Sequence, residues 1–115
     1  MISGIGADIV ELERIRHYAA KKYFLDRVFT KKEIRYAMSK KNLAHLGTAF
    51  AAKEAVFKAL GGRLFEPKEI EITRNRKGKP EARLSGGLKK LLKNRRILLS
   101  MSSTKNFSVA LAVIS

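Results

Sequence analysis

The chain is 115 residues long, carries 25 Lys plus Arg against 10 Asp plus Glu, and contains no cysteine, so its formal charge is +15. That length fits a single domain, residues 1–115, burying roughly 60–70% of its unfolded surface, and 45% hydrophobic content can fill the core. The composition excludes a disulfide framework, a thiolate metal site and a cysteine nucleophile; with no signal segment after Met1 and no apolar run near the ~20 residues of a membrane span, a cytoplasmic protein without a membrane partner is expected.

In chain order, residues 2–10 hold Ile2, Ile5, Ile9 and Val10 with two glycines and one carboxylate, which reads as a short buried strand ending near Asp8. Helical spacing follows from Glu11 to about Ala20 through Leu12, Ile15, Tyr18 and Ala19, and again in a short stripe of Phe24, Leu25, Val28 and Phe29. Thr30 with Glu33 three residues on predicts a capping box opening a third helix. The longest helix is predicted from Leu43 to Leu60, with Asn42 as its cap and Gly61 and Gly62 as its stop. Its only formal charges are Lys53, Glu54 and Lys58, so most of its circumference must face protein.

The period then changes to two at Ile70 and Ile72. Asn75 to Gly78 supplies a turn before Pro80 to Leu84, and the pattern is a β-hairpin. Leu88, Leu91 and Leu92 mark a short basic helix, and strands Ile97 to Met101 and Phe107 to Ile114 close the chain. The order of elements predicts an α+β fold, a small antiparallel-rich sheet wrapped around a long central helix.

The charge draws anionic partners without choosing among phosphates, acidic proteins and nucleic acids. It forms no basic tail, since 12 cations lie in residues 1–60 and 13 in residues 61–115. Gly4-x-Gly6 is not a dinucleotide fingerprint, because Ile9 stands where a third small residue is needed; close backbone packing is the other reading of these glycines. Asp8 and Glu54 both sit in apolar surroundings, where a carboxylate must find a cation, a metal or a proton. A helical pair with Lys58 accounts for Glu54 in one reading. In the other, two carboxylates hold Mg²⁺ while Lys53 and Lys58 meet a phosphate.

The stretches Gly4-Ile5-Gly6-Ala7-Asp8-Ile9-Val10-Glu11 and Phe50-Ala51-Ala52-Lys53-Glu54-Ala55-Val56-Phe57-Lys58-Ala59-Leu60-Gly61 resemble the two signature motifs of the 4′-phosphopantetheinyl transferases, of the short, holo-acyl-carrier-protein synthase type. The likeness extends through both hairpins, including Ser100 to Lys105. It implies that fold, and transfer of the phosphopantetheine arm of coenzyme A to a serine of apo acyl carrier protein with release of 3′,5′-ADP and a need for Mg²⁺. Carried over, Asp8 and Glu54 match the metal ligands and, with Lys58, the catalytic set. Lys53, Lys58, Gly61, Ser103, Thr104 and Lys105 match the coenzyme A site, and Arg14 matches a contact to the acidic carrier protein. Glu54 acting through a water is one candidate base. A homotrimer with sites between subunits, its centre lined by residues 97–113, is also implied; nucleic acid is not expected as a partner. Two places depart from the pattern: Thr48 and Ala49 stand between Gly47 and Phe50 where Gly-Arg-Phe is usual, and Ser103 replaces a histidine. Hydroxyls thus replace charged donors to the 3′-phosphate, with Lys105 or Arg63 as the nearest cations in sequence. A non-catalytic carrier-protein binding module and a small basic nucleic-acid-binding domain remain the alternatives to an enzyme.

Overall fold

A computed structural model describes residues 1–115. Strand β1 (Gly4–Glu11) leads into four helices, α1 (Leu12–Ala19), α2 (Lys22–Val28), α3 (Lys31–Lys40) and α4 (Ala44–Leu60). A 3₁₀ turn at Pro67–Glu69 precedes the hairpin of β2 (Ile70–Arg74) and β3 (Pro80–Leu84), followed by α5 (Gly86–Leu92), β4 (Ile97–Ser103) and β5 (Phe107–Ile114). The architecture is α+β with antiparallel strands throughout, as the sequence predicts.

α4 is the centre of the molecule because its sequence leaves no polar stripe. Ala51, Ala52, Ala55 and Val56 are fully buried, and small side chains let neighbouring backbones come close. Gly61, in the left-handed region at φ 69°, ends the helix, its N–H donating to the carbonyls of Lys58 and Phe57. At the other end Leu43 is the cap position, and Asn42 acts one residue earlier, its Oδ1 accepting from the Ala44 N–H at 2.9 Å. α3 begins with the predicted capping box between Thr30 and Glu33.

The main sheet has the order β1-β5-β4, and its register sets Asp8 opposite Ala110 and Ala110 opposite Met101. β1 runs on to Glu11, past the predicted end near Asp8, because β5 pairs with it as far as Phe107. Strand alternation puts Gly4, Gly6, Asp8 and Val10 on the face toward α4 and Ile5, Ala7 and Ile9 on the other. The two glycines let β1 lie flush on the helix: a methyl group at Gly4 or Gly6 would overlap the carbonyl of Ala59 or Ala55. β5 turns Ser108, Ala110, Ala112 and Ile114 inward, all fully buried, and leaves Phe107, Val109 and Leu111 exposed on the outer face beside Ile5, Ile9 and Leu98.

On the far side of α4 a buried ion pair ties the elements together. Lys53 Nζ donates to the carbonyls of Val28, Pro67 and Ile70 at 3.0, 2.8 and 2.7 Å and lies 2.8 Å from Glu33 Oε1. Glu33 in turn accepts from Thr30 N at 2.8 Å and Ile72 N at 2.7 Å. One side chain of α4 therefore fixes the end of α2, the start of α3 and the start of β2.

Candidate active site

Asp8 and Glu54 lie near enough where β1 packs on α4 for the charge of one to act on the other. Asp8 reaches this place by strand parity, two residues beyond Gly6, and Glu54 by its position on the β1 flank of α4. Lys58, one turn further along the helix, donates to Asp8 Oδ1 at 3.1 Å and to the Ala7 carbonyl at 3.2 Å. Glu54 is only partly covered, yet burial, followed by the negative charge of Asp8, pushes its carboxyl up from the usual glutamate range, with Lys58 pulling the other way. One ammonium is thus set against two carboxylates.

That donor set is two hard oxygen groups without imidazole or thiolate, opening to solvent beside a lysine. It fits Mg²⁺, which takes one or two protein carboxylates and fills its remaining positions with water and substrate phosphates. From Glu54 an open groove of about 840 Å³ runs between α2 and the segment after α4, with Phe24, Phe50 and Phe65 in its wall. Gly61 closes the helix just beyond Lys58. Arg14 is exposed on α1.

Lys53 does not belong to this site. The expectation that it faces a phosphate is corrected by its placement: it is fully buried, and four oxygens surround its ammonium. A residue step of 100° around α4 separates it from Glu54 and points it toward Glu33. Glu33 has a role beyond its cap that the sequence reading does not assign; the signal for it is Lys53, an ionisable side chain in an apolar run just as Glu54 is.

Ser103, Thr104 and Lys105 lie apart from Asp8. Ser103 is two strands across the sheet and two residues further along, roughly 12 Å away by ordinary strand spacing. Thr104 uses its hydroxyl oxygen to accept from Asn106 N and Phe107 N in the β4–β5 turn. All three line a cleft with Lys41 and Asn42 on the β4 flank of α4. Thr48 is buried, and its hydroxyl donates to the His45 carbonyl at 3.1 Å. Its proton is therefore not offered to a ligand as the sequence suggested. His45 and Arg74, which the sequence did not single out together, share the adjoining cleft with Thr48 and Ser103.

Residues 4–112 match the family model described as the 4′-phosphopantetheinyl transferase superfamily. The holo-[acyl-carrier-protein] synthase of Thermodesulfovibrio yellowstonii is 42% identical, the match covering 100% of both chains. Among solved structures, the holo-[acyl-carrier-protein] synthase of Neisseria meningitidis superposes with a TM-score of 0.90 at 34% identity, covering 100% of this chain and 99% of that one. The Helicobacter pylori synthase in complex with coenzyme A gives 0.83 at 30% identity, covering 96% and 99%.

Proposed function

Because the chain belongs to the 4′-phosphopantetheinyl transferase superfamily, we propose that Asp8, Glu54 and Lys58 form the centre at which it works as a holo-acyl-carrier-protein synthase. The enzyme transfers the 4′-phosphopantetheine group of coenzyme A to a serine of apo acyl carrier protein. In that exchange a bond forms between the serine oxygen and phosphorus, the phosphoanhydride bond to 3′,5′-ADP breaks, and the serine proton passes to a base.

The observation that carries the assignment of the centre is the convergence of two carboxylates and one ammonium at the β1–α4 crossing. Phosphoryl transfer asks for charge neutralisation and alignment more than for covalent help. Asp8 and Glu54 are the residues that would hold Mg²⁺, which supplies neutralisation of the pyrophosphate. Lys58 is placed to exchange its contact with Asp8 for a phosphate oxygen. Glu54 acting through a water is one candidate for the base that accepts the serine proton.

The same proposal includes a homotrimer and a cytoplasmic setting, where coenzyme A and the carrier protein meet. Support for the trimer is the outer sheet face, where Ile5, Ile9, Leu98, Phe107, Val109 and Leu111 are exposed together, an arrangement that marks an interaction surface. Clefts on opposite flanks of α4 are complementary halves if one donor molecule lies between neighbouring copies. Arg14, exposed on α1, is the proposed contact to the acidic carrier protein.

Intact-mass measurement of apo carrier protein incubated with the enzyme, coenzyme A and Mg²⁺ tests the reading. Gain of the phosphopantetheine mass is expected with the wild type and not with Asp8→Asn or Glu54→Gln. Near-normal turnover by either folded variant would remove that residue from the centre.

A further inference from the structure

The groove that runs from Glu54 has a floor formed by α4, with Phe50 and Glu54, one wall formed by α2, with Phe24 and Val28, and a second wall formed by the segment after α4, with Phe65 and Pro67. Neither wall is held firmly by its own backbone. α2 has seven residues and no side chain capping its first turn. Arg63, Leu64 and Phe65 neither donate nor accept a backbone hydrogen bond, and Phe65 is held by its ring, whose centre lies 5.1 Å from that of Phe57.

Behind the floor, one ammonium joins the two walls. Lys53 Nζ donates to the Val28 carbonyl at 3.0 Å, at the end of α2, and to the Pro67 carbonyl at 2.8 Å, at the start of the 3₁₀ turn. While both bonds hold, the two carbonyls cannot separate by more than two hydrogen-bond lengths. The Val28 carbonyl ends a helix, where a cation is favoured. Further contacts to the Ile70 carbonyl and to Glu33 Oε1 keep the ammonium from following one wall and releasing the other.

The same contacts fix α4 about its own axis. Glu54 is the next residue, so a turn of the helix that moved its carboxylate would carry Lys53 out of its cage. On the opposite side Gly6 seats β1, and with it Asp8, against the Ala55 carbonyl. Stability alone does not call for a lysine here, because a buried ion pair exchanged for well-packed apolar side chains is often neutral or stabilising. An apolar side chain would hold neither carbonyl.

We propose that Lys53 is a positioning residue of the transferase: it holds the groove walls at a fixed spacing and Glu54 at a fixed angle to Asp8, and it touches neither substrate. The inference deepens the assignment of Asp8, Glu54 and Lys58 as the centre and rests on it. Glu33 has a different part. It balances the charge of the ammonium and accepts from Thr30 N and Ile72 N, and its oxygens bond no residue of either wall.

Glu33→Gln and the double variant Glu33→Gln with Lys53→Met separate position from stability. Both lack the buried ion pair, so both have a lowered unfolding midpoint, and the double variant leaves no unpaired buried charge to prevent folding. They differ in the tie alone. Turnover is measured with saturating coenzyme A, Mg²⁺ and apo carrier protein, at a temperature well below both midpoints, and is expressed per folded chain. Glu33→Gln is expected to keep kcat within about twofold of the wild type, because the Lys53 amine retains donors for the Val28 and Pro67 carbonyls. The double variant is expected to fall roughly ten- to a hundredfold in kcat, the loss that a displacement of about 1 Å brings, with a smaller change in KM for either substrate. A double variant that matches Glu33→Gln in kcat per folded chain, including one altered only in KM, would overturn the proposal, as would a Glu33→Gln that loses as much as the double variant. Retained turnover in Glu54→Gln would instead remove the centre itself, so the two failures are told apart.

Discussion

Replacing Lys53 by methionine keeps the length of the side chain and removes the ammonium from a cage of four oxygens. The carbonyls of Val28, Pro67 and Ile70 lose their donor, and the Glu33 carboxylate, side chain 2% exposed, loses its counter-ion. Breaking one side of a buried pair costs about 3–5 kcal/mol, and each carbonyl left without a donor adds roughly 1 kcal/mol if taken singly. These terms describe one site and do not add, so about 4 kcal/mol is the working figure, close to a thousandfold in the unfolding equilibrium. Against a total of roughly 5–15 kcal/mol, that is a large share. Urea titration at fixed protomer concentration measures it, with the slope of the transition checking that the unfolded state is unchanged. The double variant Lys53→Met with Glu33→Gln should lose less than the sum of the single ones, by about 1–3 kcal/mol. A loss below about 1 kcal/mol for Lys53→Met at constant slope, or strict additivity of the pair, would refute the view that this lysine is a structural tie.

Glu54→Gln should raise the unfolding midpoint in metal-free buffer while abolishing transfer, because it removes a carboxylate facing Asp8; a lowered midpoint would mean that Lys58 already balances both acids. Val109→Glu, in the outer face of β5, should give a smaller particle in light scattering and lose activity, whereas an unchanged mass would free that face from any role in assembly. Arg14→Glu should raise the KM for carrier protein far more than that for coenzyme A, with an effect that shrinks as salt rises; a carrier KM independent of this charge would move the docking face elsewhere. For His45, burial first, then Arg74 and Lys40, hold the folded pKa below the unfolded value of about 6.5, so between the two the unfolded chain binds more protons. Its contribution to stability is therefore present above pH 6.5, falls as the pH drops through that window, and levels off below the folded pKa. His45→Gln should remove that component from a pH series of unfolding midpoints.

Local rules carried the sequence a long way. Thr30 and Glu33, Gly61, and the turn from Asn75 to Gly78 are recognisable because their partners lie within four residues, and the same backbone physics acts wherever they occur. Asp8 and Glu54 were legible for another reason, that a carboxylate among apolar neighbours needs an explanation. Lys53 obeys the same logic, but its partners at Val28, Glu33, Pro67 and Ile70 are distant in sequence, so only the folded chain distinguishes a lysine turned inward from one facing a phosphate. The His45–Arg74 cleft was equally hidden. Its residues come from α4 and β2, and nothing in either segment announces that the two will meet over Tyr36.

The alternation of β1 also sets a rule for how this segment can vary in length. Gly6 and Asp8 share a face because they are two apart, and any single-residue insertion or deletion between them would reverse one with respect to the other. If the glycine kept its seat on the Ala55 carbonyl, the carboxylate would swing to the side occupied by Ile5 and Ile9, and Glu54 would stand alone. If the carboxylate kept its place, a branched or larger side chain would be driven into the helix backbone. Homologues or designs that preserve the chemistry must therefore align through this strand without gaps, while length can change at the hairpin tip around Lys77, where nothing opposes it.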